Sequence, residues 1–89
     1  MSVNIWNYGN YSSDNYGSCR AVSVGGLDLY FSYKTVIAYR GGSEFVIREN
    51  DWSTTTGKHL NWIDSDKSKR ISGSEFEKKL EAMLKKHKL

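Results

Sequence analysis

The sequence predicts an α+β fold: an antiparallel β-meander of about four strands with a C-terminal amphipathic helix packed on one face. Three observations carry this. Apolar and polar residues alternate through residues 19–24, 27–33 and 44–49, the period of half-buried strands. Glycine pairs, Gly25-Gly26 and Gly41-Gly42, separate those runs where tight hairpin turns need positive φ. Near the C-terminus Phe76, Leu80, Met83 and Leu84 form one stripe at helical spacing. The 89 residues make a single domain, 1–89. A chain of this length buries only about two-thirds of its unfolded surface. Its three Trp, six Tyr and three Phe therefore supply much of the available bulk.

Residues 1–18 form a Tyr/Asn/Ser/Gly-rich segment, and composition alone favours a loop. Ile5, Trp6, Tyr8, Tyr11 and Tyr16 argue for partial order, with a short strand near Val3 to Tyr8 and a turn at Asp14-Asn15. Arg20, Val22 and Val24 then alternate with Cys19, Ala21 and Ser23. After Gly25-Gly26, Leu27, Leu29, Phe31 and Tyr33 share one strand face, and Lys34 marks a bend. Thr35 to Arg40 is β-branched and almost continuously apolar, as a central strand is. Beyond Gly41-Gly42, Phe45 and Ile47 oppose Val46 and Arg48, and Asn50-Asp51 ends the strand.

His59, Leu60, Trp62 and Ile63 fit a short helix near 56–63, capped by Thr55 or Thr56, although a strand fits too. Asp64 to Arg70 reads as a charged loop. The last element, a helix over 71–88, has a capping box at Ser72-Gly73-Ser74-Glu75. Ile71 and Phe76 occupy the staple positions around that cap. Glu75 and Glu77 near its start and Lys85, Lys86 and Lys88 near its end complement the helix dipole.

The net charge is +3, unevenly spread. From Lys67 to Leu89, eight Lys and Arg stand against three Glu, a balance of +5, which leaves −2 for the rest. Such a segment suits nucleic acid or an acidic protein face, though a solvated helix face has the same composition. Cys19 is the only cysteine, so no intramolecular disulfide or cysteine-based zinc site can form. A domain held by its core alone fits a reducing compartment. Residues 1–10 lack a basic and an apolar signal region, and no run approaches the ~20 apolar residues of a membrane span. The expected location is cytoplasmic, in the producing or infected cell, with no membrane association.

The run Leu29 to Arg40, followed by Arg48-Glu49-Asn50 and Trp52 to Asn61, resembles a group of small uncharacterised proteins of phages, archaeal viruses and other mobile elements. The likeness spans Leu27 to Ile63, and its most specific piece is Thr55, Thr56, Lys58, His59 and Asn61. It brings no catalytic residue with it. What it implies is a mobile-element setting, in which small proteins act by binding host machinery. It thus implies an anti-defence role such as blocking a CRISPR effector.

Candidate chemistry starts at Thr55-Thr56-Gly57-Lys58-His59, where Lys58 and His59 could meet an anion at a helix start. The spacing is not that of a P-loop. The competing structural role is a Thr cap with His59 packed on the sheet. His59 and His87 lack metal-ligand spacing, so neither metal nor other cofactor is expected. Cys19 in an alternating strand reads as a small buried hydrophobe, and no nucleophile, base and orienter stand out, so no enzyme is expected. Tyr30, Tyr39 and Arg40 on the sheet and Trp52 before the Thr run are the remaining binding candidates. Tyr and Trp anchor protein interfaces and also stack nucleic-acid bases. The leading expectation is a non-enzymatic protein-binding module, with a nucleic-acid-binding accessory protein as the alternative. Sequence does not set the oligomeric state.

Overall fold

The computed structural model describes residues 3–9, 19–52 and 54–88, the side chains of Thr54 and Thr55 excepted. Six strands form one sheet in chain order: β1 (Val3–Asn7), β2 (Arg20–Val24), β3 (Leu27–Ser32), β4 (Thr35–Gly41), β5 (Glu44–Arg48) and β6 (Arg70–Ile71). The first five pair antiparallel and β6 joins β5 in parallel. Helix α1 (Thr54–Ile63) covers one face, and α2 (Gly73–Lys86) covers the other. Among the described residues no helix is long and apolar enough to cross a membrane. The Asp14-Asn15 turn and the Tyr11 and Tyr16 rings lie outside the described residues.

The meander is larger than four strands because both of its edges are extended. Val3 to Asn7 is a strand, as its apolar residues suggest, and it pairs with all of β2. At the other edge, the segment expected as a charged loop contains a tight turn, Lys67–Lys69, and then β6. Asp66 accepts from the Ser68 amide at 3.0 Å and hydroxyl at 2.6 Å, which closes that turn. The chain then leaves in line with β5, and the Glu49 amide donates to the Ile71 carbonyl at 2.8 Å.

A register shift divides the core between the two faces. Tyr30 pairs with Ala38 and Phe31 with Val36, so Ile37 is an extra residue on β4. Alternation resumes after it. Ile37 and Ala38 therefore both pack toward α1, with Ile47 and Leu60. Leu27, Tyr39 and Val46 face α2 and meet Phe76 and Leu80. This explains why β4 reads as continuously apolar. The second expected glycine pair also resolves unevenly. Gly41 ends β4 under Met83, whose Sδ would lie 3.1 Å from an added Cβ, and the turn is Gly42-Ser43.

The start of α2 follows its capping signal. Ser72 is the N-cap and its hydroxyl accepts from the Glu75 amide at 3.3 Å. Ile71, one residue before the cap, belongs to β6 and packs on the cluster that contains Phe76. Glu81 and Lys85 approach to 3.6 Å. Gly73, the first helical residue, sits where any Cβ would strike the Arg48 guanidinium. Arg48 is buried at the end of β5. It donates to Asp51 at 2.8 Å and Glu77 at 3.1 Å, with its guanidinium 4.4 Å from the Trp52 ring centroid and 5.7 Å from that of Phe76.

Leu80→Ala should cost about 2–5 kcal/mol, the range for truncating a buried leucine. Ser72→Ala should cost about 0.5–2 kcal/mol through the lost cap, and Ser74→Ala close to nothing. Urea melts check all three, and a Leu80→Ala protein matching wild type would contradict the docking of α2.

Candidate binding site

Three two-residue turns join β2 to β5: Gly25-Gly26, Tyr33-Lys34 and Gly42-Ser43. The first residue of each has positive φ, 59° at Gly25, 56° at Tyr33 and 60° at Gly42. Two of the three use glycine, which has no Cβ to clash in this region. The third uses tyrosine, at a cost of roughly 1–2 kcal/mol for a residue with a side chain. The Tyr33 ring is 56% exposed.

That turn borders a depression of ≈ 500 Å³ lined by Ser32, Tyr33, Thr35, Trp52 and Thr56. Trp52, 50% exposed, is held on its other side by Arg48. Between the two rings lies a hydroxyl floor. Ser32 Oγ is 2.7 Å from His59 Nδ1 and 3.2 Å from Thr56 Oγ1. His59 is fully buried, and Tyr8, Tyr33 and Trp62 surround it at ring distances of 6.3, 5.8 and 5.8 Å. Burial holds its pKa below the ordinary imidazole range. The Tyr33 and Trp52 rings can supply contact area to a ligand, while the hydroxyls of Ser32 and Thr56, each residue 4% exposed, and the fully buried His59 hold the base of the depression together. A hydrolytic Ser–His pair is exposed to its substrate and oriented by a third group, whereas Ser32 is 4% exposed and shared between His59 and Thr56.

The candidates named from sequence scatter around this site. Trp52 lines it and His59 lies beneath it, so these two come together. Lys58 is exposed on α1, and His59 points to the sheet, both in the second turn rather than at the helix start. His59 thus takes the packed role, and the exposed Lys58 stands away from the helix start where the anion contact is expected. Thr56 is not a cap either, because α1 begins at Thr54 and the Thr56 hydroxyl is engaged with Ser32. A Thr55 cap lies outside the described side chains.

Tyr30, Tyr39 and Arg40 do not share a face. Tyr39 is fully buried against Phe76 under α2, which corrects its assignment as a surface contact. Burial, and then donation to Glu44 at 3.1 Å, push its phenol up to about 12. Tyr30 is half-buried on the α1 face, edge-on to Trp6, Tyr8 and Phe45. Arg40 is exposed on that face, 5.0 Å over the Phe45 ring. Tyr33 was missed because alternation assigns it to a strand. The two-residue gap between adjacent strand runs was its available signal. Among the described residues no group of three or more His, Cys, Asp or Glu could hold a metal ion.

Residues 3–78 match the family of unknown function DUF8033, and the chain belongs to that family. Comparison with curated proteins and with solved structures finds no match.

His59 gives the fold a pH dependence. Its pKa is lowered on folding, so its contribution is complete above the unfolded value of about 6.5 and is lost as the pH falls through the folded value. Stability should decline as the pH falls below about 6.5, by up to about 1.4 kcal/mol per unit until the folded value is passed. Asp64 and Asp66 are shifted downward, by hydrogen bonds from the Asp66 amide and from Ser68 respectively, and act at lower pH. Urea melts across this range should show a flatter slope for His59→Asn, and an unchanged slope would contradict the assignment.

Proposed function

We propose that this DUF8033 protein is a non-enzymatic binding module that captures a protein partner in the depression between Tyr33 and Trp52. The observation that supports this most is Tyr33. A glycine at that turn would relieve about 1–2 kcal/mol of left-handed strain, yet a tyrosine stands there, packed beside His59 at 5.8 Å with 56% of its surface still open. That open surface, beside Trp52, is what an anchor would use. Large rings in desolvated pockets commonly carry 2 kcal/mol or more of a protein interface. The network of Ser32, Thr56 and His59 would hold the two walls in place from beneath. The resemblance of residues Leu27 to Ile63 to small phage and archaeal-virus proteins supports a mobile-element setting in the cytoplasm. There a host-defence complex such as a CRISPR effector is the partner class to test first.

A second reading, nucleic-acid binding, is favoured by the exposure of Lys78, Lys79, Lys85 and Lys86 on α2. Salt and mutagenesis separate the two, because phosphate contacts weaken steeply with salt.

Tyr33→Asn and Trp52→Ala should both stay folded by circular dichroism, the former within about 1 kcal/mol of wild type because Asn tolerates the left-handed region. Each should weaken nuclease-resistant binding of the captured host protein about thirtyfold or more. Neutralising Lys78, Lys79, Lys85 and Lys86 to Gln should leave binding intact. The opposite pattern, with ring variants active and the Lys→Gln protein dead, would overturn the proposal in favour of nucleic acid.

A further inference from the structure

The two edges of the sheet differ. Edge strands expose unpaired backbone groups, and proteins blunt them with charge, brevity or cover. The β6 edge is blunted: it has two residues, both half-buried, and its Arg70 guanidinium is tied to Asn61 at 2.9 Å. The β1 edge is not. All five of its residues are exposed, none is charged and none is proline. Val3 is 53% exposed and Ile5 64%.

The register shows which backbone groups face outward. The Tyr8 amide donates to the Cys19 carbonyl at 3.1 Å, which places Tyr8, and by alternation Trp6 and Asn4, in bonds to β2. The N–H and C=O of Val3, Ile5 and Asn7 therefore point away from the sheet, and among the described residues nothing pairs with that side. The side chains of Val3 and Ile5 share a face with their β2 partners Val24 and Val22. These four form an apolar patch with Asn7 and Arg20 at its end on the same face, and neither β2 valine belongs to the cluster packed by α2.

We propose that β1 is a homodimer interface, in which β1 of a second copy pairs antiparallel with it about a two-fold axis at Ile5. A two-fold interface must be complementary to itself, since each residue meets its own set. Here Ile5 faces Ile5 of the second copy, Val3 faces Asn7 and Asn4 faces Trp6. No like charges oppose one another. Arg20, the one charge on β2, pairs with Asn7 at the strand end, so the two arginines lie at opposite ends of the dimer. All three outward-facing residues find partners, giving about six inter-strand hydrogen bonds at two per bonded pair. Across the axis the Val22–Ile5 row of one copy continues into that of the other, flanked on each side by a row in which Val24 and Val3 meet Asn7 and Arg20 of the second copy. This interface leaves the Tyr33–Trp52 depression free, because β1 lines none of it.

Sedimentation of the full chain, at concentrations into the hundreds of micromolar, should give twice the chain mass. Ile5→Lys puts two ammonium groups on the axis and should yield a folded monomer whose melt no longer depends on protein concentration. Ile5→Cys should form a disulfide-linked dimer on mild oxidation, since paired Cα atoms about 5.5 Å apart lie within disulfide range, and Cys19 is buried. A monomeric wild type overturns the proposal, as does an Ile5→Lys protein that still dimerises. A monomer that binds a foreign strand through β1, lost in Ile5→Lys, also overturns it.

Discussion

A guanidinium buried at the end of a strand needs partners for its charge, and the C-terminal half of this fold is arranged around Arg48, whose two terminal nitrogens are paired while its Nε has no hydrogen-bond partner among the described residues. Taking such a group out of water costs several kcal/mol. Two carboxylates offset this, Asp51 from the loop after β5 and Glu77 from α2. Both keep much of their own surface in water, so one charge is buried rather than three. The guanidinium carbon also lies over the Trp52 and Phe76 rings, 4.4 and 5.7 Å from their centroids, a contact that the planar group makes better than an ammonium. Room for it exists because Gly73 has no side chain. One residue thus ties β5, the 49–52 loop and the first turn of α2 together.

The candidate site depends on the same residue. Trp52 precedes α1 and half of its surface is open to solvent. Stacking on Arg48 is what gives that ring a fixed position opposite Tyr33. The other wall is set by a turn whose backbone is strained, and the floor by β3 and α1 through Ser32, Thr56 and His59. A rigid sheet with a helix on each face holds these three sources in place. Binding residues on loops positioned by a rigid scaffold are a common arrangement.

What was legible in the sequence was local. The Gly25-Gly26 turn, the Ser72 cap and the Phe76–Leu80 stripe declare themselves within a few residues, and the short helix was placed within two residues of its start. Long-range features were not legible. An extra residue at Ile37 leaves the composition of an apolar run unchanged, so the split of β4 between two cores is invisible there. Strand β6 is two residues long and is defined by its pairing with β5, which the single β-former Ile71 does not declare. Arg48 reads as one more exposed position, because Glu77 and Gly73 are remote in sequence. Tyr39 and Arg40 are adjacent on one strand, so alternation already opposed grouping them on one face. Of the site, Trp52 and His59 were named, whereas Tyr33, Ser32 and the role of Thr56 needed the hairpin geometry.

Membership of DUF8033 carries no activity with it, so function has to be argued from the site. The account rests on the fork and stacking of Arg48, and equilibrium unfolding of Arg48→Lys tests that most directly. Lysine keeps the charge but cannot bond both carboxylates in one plane, and it makes the poorer contact over the two rings. The account predicts a loss of about 2–4 kcal/mol, near the cost of breaking a buried ion pair. A variant within about 0.5 kcal/mol of wild type, the scatter of ordinary surface substitutions, would contradict it.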